Sequence, residues 1–130
     1  MSTEARHIQP GYTAVTPYLY AKPDLGEFLK RAFGAEIIHA SDPDAAGNFH
    51  SEAKIGGAHV LFGNGFFADP SMSAAVYLYV PDVDTTFKLA VSLGAKALRE
   101  PADQSWGDRV AGVKDTSGNT WWIATFKGPR

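Results

Sequence analysis

Between residues 13 and 126 the apolar positions alternate between two spacings, every second residue and every third or fourth. The switches fall at glycine, proline and aspartate. Residues 13–20 (TAVTPYLY) are rich in Thr, Val and Tyr and read as a strand, with Pro17 tolerable only on an edge or in irregular backbone. Pro23 and Asp24 open a helix in which Leu25, Phe28, Leu29, Ala32 and Phe33 recur at helical spacing until Gly34 stops it. Residues 35–40 predict a short strand, and Asp42, Pro43, Asp44 and Gly47 a turn. Residues 48–55 and 58–63 then read as strands joined at Gly56 and Gly57.

The same order follows again. Residues 74–80 (AAVYLYV) form a strand, and Asp82 caps a helix whose apolar face is Val83, Phe87, Ala90, Val91 and Leu93, ending at Gly94. Strands are predicted at 95–99, 109–114 and 119–126, the last after a turn at Asp115 and Gly118. Direct register supports an internal duplication. Asp24, Leu29, Gly34 and Ala35 match Asp84, Leu89, Gly94 and Ala95 at an offset of 60 (94 minus 34). A shift of 61 (118 minus 57) aligns Gly57, Val60, Leu61 and Phe62 with Gly118, Trp121, Trp122 and Ile123. The chain therefore reads as one α+β domain of two βαβββ modules, residues 11–64 and 74–126. Their strands form a curved mixed sheet, with helices on the outer face and a cleft on the other.

Composition narrows the function. At 130 residues the chain is long enough for one domain with a real core and too short for two ordinary ones. A formal charge of -2, with acids and bases interspersed, provides no basic face for nucleic acid and no polybasic membrane patch. No apolar run approaches the roughly 20 residues that span a bilayer, and residues 1–9 are polar, so the expected location is the cytoplasm. The absence of cysteine excludes disulfides, a thiol nucleophile and thiolate metal sites, which leaves chemistry to His, carboxylate, Tyr and Arg.

Several motifs carry a resemblance that spans residues 11–126: Val15-Thr16-Pro17-Tyr18-Leu19, Ala32-Phe33-Gly34-Ala35-Glu36, Tyr79-Val80-Pro81-Asp82-Val83-Asp84, Ser105-Trp106-Gly107-Asp108-Arg109, and residues 115–123. With these the chain resembles the vicinal oxygen chelate proteins, which include glyoxalase I, extradiol dioxygenases and the fosfomycin- and bleomycin-resistance proteins. The resemblance implies paired βαβββ modules, a homodimer and a cleft for small molecules. In metal-dependent members, His, Gln or Glu side chains from the first and last strands of both modules hold the ion. Matched by motif, those places fall at Thr16, Leu61, Ala75 and Trp122, none of them a usual ligand. Their same-face neighbours Tyr18, His59, Tyr77 and Ala124 supply one imidazole. A divalent ion normally takes three or four protein ligands, so neither metal nor cofactor is expected.

His50 and Glu52 stand two apart on a strand and share a face, with Ser51 and Ala53 on the other. They read either as an acid/base pair, or with His59 a replacement metal site, or as a hydrogen-bonded polar pair at a sheet edge. His39 and His7 read as surface residues. Trp122, Tyr77 and Tyr79 share the parity of the cleft face, whereas Trp121, Val76 and Leu78 face the helices. Trp106 lies in a loop of Gln104, Ser105, Gly107 and Asp108, either as a lid, with Arg109 binding an anion, or as an interface or loop anchor. Phe62, Phe66 and Phe67 line the cleft or anchor the connector between modules. The expected function is metal-free binding of a small planar or aromatic molecule in the cleft between the modules by Tyr77, Trp106, Arg109 and Trp122, with His50 and Glu52 at the polar end. The alternatives are a lyase or isomerase with a divalent metal at a non-standard site, and a structural module whose cleft is filled by its own aromatics.

Overall fold

The computed structural model describes residues 7–65 and 67–128. The first half forms β1 (Tyr18–Tyr20), α1 (Leu25–Phe33), β2 (Glu36–Ala40), β3 (Phe49–Ile55) and β4 (Ala58–Asn64). The second forms β5 (Ala75–Tyr79), α2 (Val83–Ser92), β6 (Lys96–Asp103), β7 (Asp108–Lys114) and β8 (Thr120–Phe126). Each half is a four-stranded mixed sheet, ordered β1-β4-β3-β2 and β5-β8-β7-β6. β1 lies parallel to β4 and β5 parallel to β8, while the remaining pairs are antiparallel. This is the doubled βαβββ architecture in an α+β fold.

Both helices follow from their apolar stripes and their ends. α1 buries Leu25, Leu29 and Ala32, and Gly34 closes it in the left-handed region at φ 70°, donating its N–H to the carbonyls of Leu29 and Lys30. α2 buries Val83, Phe87 and Ala90, and Asp82 caps it by accepting from the Thr85 amide at 3.3 Å and the Thr85 hydroxyl at 3.0 Å. α1 packs on β2 and β3, α2 on β6, β7 and β8, and the two helices on each other. Among the described residues no strand of one sheet lies against a strand of the other.

One apolar core runs under both halves. It takes Leu19, Ala53, Ile55, Val60 and Phe62 from the first sheet and Ala111, Val113, Trp121 and Ile123 from the second. The Phe33 ring meets Trp121 across the seam, 5.0 Å between centroids. Phe62 is thus a core residue, Phe67 is exposed with its ring edge-on to Tyr18, and Phe66 lies outside the described residues.

The turn between β7 and β8 joins the modules through polar groups. Asn119, fully buried, donates from Nδ2 to the Tyr20 carbonyl at 2.9 Å and accepts from the Ala74 amide at 3.0 Å. Asp115 accepts from the Trp121 indole N–H at 2.8 Å and from the amides of Ser117 and Asn119 at 2.9 and 3.0 Å. The Ser117 hydroxyl accepts from the Lys22 amide at 2.8 Å.

Two strands differ in length from the sequence pattern. β1 begins at Tyr18 because Pro17 has no N–H, and the hydroxyls of Thr13 and Thr16 bond to the nearby carbonyls of Val15 and Thr13. Thr16 therefore precedes the strand instead of lying in it. β6 runs on to Asp103 through Pro101, with two register breaks. As an outer strand, it loses no ladder bond to that proline.

Candidate functional site

Strand register places Arg99, Gly112, Trp122 and Tyr77 in one row across β6, β7, β8 and β5. The row lies on the face away from the helices, since Trp121 and Val113, one residue along, are in the core. Gly112 makes this row possible. A Cβ there would stand 2.4 Å from Cζ3 and 2.8 Å from Cε3 of Trp122. The six-membered ring of the indole occupies the space a side chain would need. Trp122 therefore lies across β7 toward β6, where the Arg99 guanidinium carbon sits 5.7 Å from its ring centroid.

The walls are tied to one carboxylate. Asp108, 2% exposed at the start of β7, accepts on Oδ2 from the hydroxyls of Tyr77 at 2.7 Å and Tyr79 at 2.8 Å, and from the Trp106 indole N–H at 3.2 Å. Gly107, at φ 100°, turns the loop that carries Trp106, with the Gln104 amide bonded to the Asp108 carbonyl at 2.8 Å. Burial, followed by the bond to Asp108, pushes the Tyr77 phenol above its ordinary range, so it stays a protonated donor at neutral pH. Between these groups is a cavity of about 290 Å³ lined by Tyr77, Arg99, Gln104, Trp106, Val110 and Trp122. It offers flat apolar surfaces with an amide and a guanidinium at the rim.

The corresponding face of the first sheet is occupied. The Tyr18 hydroxyl bonds His50 Nδ1 at 2.9 Å, and His50 Nε2 bonds Glu52 at 3.1 Å. The Tyr12 hydroxyl donates to the other Glu52 oxygen. The Tyr12 ring stacks on His59 with centroids 3.8 Å apart. His50 and Glu52 do share a face, as strand parity requires, and Tyr12 from the preceding segment lies on it.

This network has a pH signature. The Tyr12 hydroxyl first, and His50 after it, hold the Glu52 carboxyl below its usual range against the opposing effect of burial. Burial and Glu52 push the Tyr12 phenol up to about 12. The raised phenol contributes stability fully present below 10.0 and lost as pH rises toward about 12. The lowered carboxyl contributes stability present above 4.5 and lost as pH falls through its folded value. In an ultraviolet phenolate titration one tyrosine is expected to ionise near 12, and Glu52→Gln should bring that step down. An unchanged curve in the variant would show that Tyr12 is not held by Glu52.

Of the side chains singled out in the sequence, Tyr77, Trp106 and Trp122 come together at the cavity. Arg109 does not. Strand alternation puts it with Ala111 and Val113 on the helix side, where it pairs with Asp84 at 3.1 Å and Asp103 at 3.3 Å. Those two acids raise its pKa further and engage its Nε and Nη1 donors. His50 and Glu52 form their own cluster on the first sheet and do not line the cavity. The cation at the cavity is Arg99, which strand alternation alone does not locate, because register shifts occur on both sides of it.

The donor set does not suit the metal that the fold's relatives imply. Leu61, Ala75 and Trp122 supply no ligand atom of the usual kind, and the Thr16 hydroxyl bonds the Thr13 carbonyl. Among the described residues no three His, Asp or Glu side chains gather at ligand spacing.

Residues 21–123 match the Glyoxalase/Bleomycin resistance protein/Dioxygenase superfamily, and the chain belongs to it. An uncharacterised protein of Mycobacterium bovis is 41% identical over 131 residues, covering 90% of this chain and 84% of that protein. An uncharacterised protein of Mycobacterium tuberculosis H37Rv is 29% identical over 133 residues, 92% of this chain and 76% of that one. Among solved structures, TioX from Micromonospora sp. ML1 aligns with a TM-score of 0.69 at 24% identity, over 88% of this chain and 98% of that one. Glyoxalase I from Zea mays aligns with a TM-score of 0.65 at 16% identity, over 87% of this chain and 44% of that one. At such identities the structural likeness shows the fold. No helix among the described residues is long and apolar enough to cross a membrane.

Proposed function

We propose that this protein binds a small planar aromatic molecule on the open face of its second module, without a metal ion. The observation that carries the reading is the floor of the cavity: Trp122 seated against Gly112, with Tyr77 and Trp106 in the same lining and both held by Asp108. At about 290 Å³ the cavity lies at the small end of ligand pockets, a size that suits one or two fused rings. Ring stacking adds about 0.5–1.5 kcal/mol beyond area burial, so closure from a second surface would raise affinity. A homodimer provides one, since β1, β2, β5 and β6 are all sheet edges and Tyr79 and Trp106 are exposed.

The direct test is titration with a panel of fused-ring compounds while following tryptophan emission. Saturable quenching is expected, and no change up to roughly millimolar ligand would end the reading. Elemental analysis after dialysis is expected to find no stoichiometric Zn, Ni, Mn or Fe. An equimolar metal that a chelator removes, with loss of thermal stability, would overturn the metal-free assignment. Light scattering at micromolar protein is expected to return twice the 14.0 kDa chain mass, and the mass of a single chain would rule the dimer out.

A further inference from the structure

The cavity's charge points to the class of its ligand, and we infer that it selects planar aromatic anions, carboxylates above all, with Arg99 as their counter-ion. The inference rests on the planar-ligand reading and deepens it. Among the described residues Arg99 is the only charged one in the cavity lining; Gln104 is neutral and Tyr77 is kept protonated. Asp108, which holds the walls, is buried with its Oδ2 accepting from Tyr77 and Trp106, so at that point a ligand meets the donors and not the carboxylate.

Arg99 is also unspent. Among the described residues its guanidinium makes no ion pair or hydrogen bond, whereas Arg109 pairs with two aspartates and Lys30 with Glu27. Its contact is the Trp122 ring, 5.7 Å from the guanidinium carbon to the centroid. A guanidinium beside an aromatic face keeps N–H donors for a carboxylate, and its fork matches both oxygens. A ring stacked on Trp122 would bring its edge substituent to that charge. The register breaks around Arg99 reinforce the placement, because they put it opposite Gly112 and so in the Trp122 row.

Three probes of one shape separate the possibilities: a naphthalene carboxylate, its carboxamide and the corresponding aminomethyl cation, each titrated calorimetrically into the 130-residue chain. The carboxylate is expected to bind about fivefold or more tighter than the carboxamide at low ionic strength, between an exposed ion pair and a charge-assisted hydrogen bond in strength. That preference should shrink with added salt because Arg99 is exposed. Arg99→Gln should abolish the preference, so that carboxylate and carboxamide bind alike in the variant, and Arg99→Lys should retain part of it. If the carboxamide binds as tightly as the carboxylate, or the cation binds best, the role of Arg99 is wrong and the planar-ligand reading stands. If none of the three binds, both fall together.

Discussion

Asp115→Ala is expected to lower the stability of the protein by about 2–4 kcal/mol, since it strips the acceptor from the buried Trp121 indole N–H and from two turn amides at once. Trp121 is fully buried, so its N–H has little access to replacement water. The loss is a large fraction of the 5–15 kcal/mol or so that typically separates folded from unfolded domains. Urea denaturation followed by circular dichroism measures it, with Ser117→Ala as comparison, because that change removes one acceptor, for the Lys22 amide. A loss below about 1 kcal/mol for Asp115→Ala would mean that water reaches the Trp121 N–H and that the turn carries little of the stability.

Trp122→Ala is expected to weaken planar ligands by about tenfold to a hundredfold, because it removes both the stacking surface and the apolar area beneath the ring. The fold should tolerate the change, since Trp122 lies outside the core that Trp121 anchors. Gly112→Val supplies an independent arm. Its first side-chain carbon would stand 2.4 Å from the indole and must lift the ring from its bed, so binding should fall with the tryptophan still present. Calorimetric affinities for the same fused-ring probe decide both. Undiminished affinity in Trp122→Ala would remove this residue from the site.

Where a period of two or of 3.6 is unbroken, the sequence pattern determines the structure closely. α1 stops at Gly34, α2 starts at Asp82, and Trp121 and Trp122 part to opposite faces, as alternation requires. The pattern fails where a contact distant in sequence or a shift in register decides. Arg109 is the second residue of β7, and the alternation of that strand turns it toward the helices, away from the cavity that Trp106 lines. Arg99 reaches the cavity row through irregular pairing that no periodicity encodes. Gly112 was legible in principle, because a glycine inside a strand marks close approach by another group. The Tyr12 bond to Glu52 spans 40 residues and leaves no local trace.

Tying Tyr77, Tyr79 and Trp106 to one buried oxygen also bears on how fast and how specifically a ligand is taken up. Side chains fixed during folding need not surrender rotamer freedom at the moment of encounter. Under the proposed function the cavity would present nearly the same shape whether empty or filled, and association would proceed as docking against a rigid template. Discrimination would then fall on geometry: a bent or bulky compound would meet walls that yield only by releasing Asp108, and would dissociate quickly, while a flat one would stay.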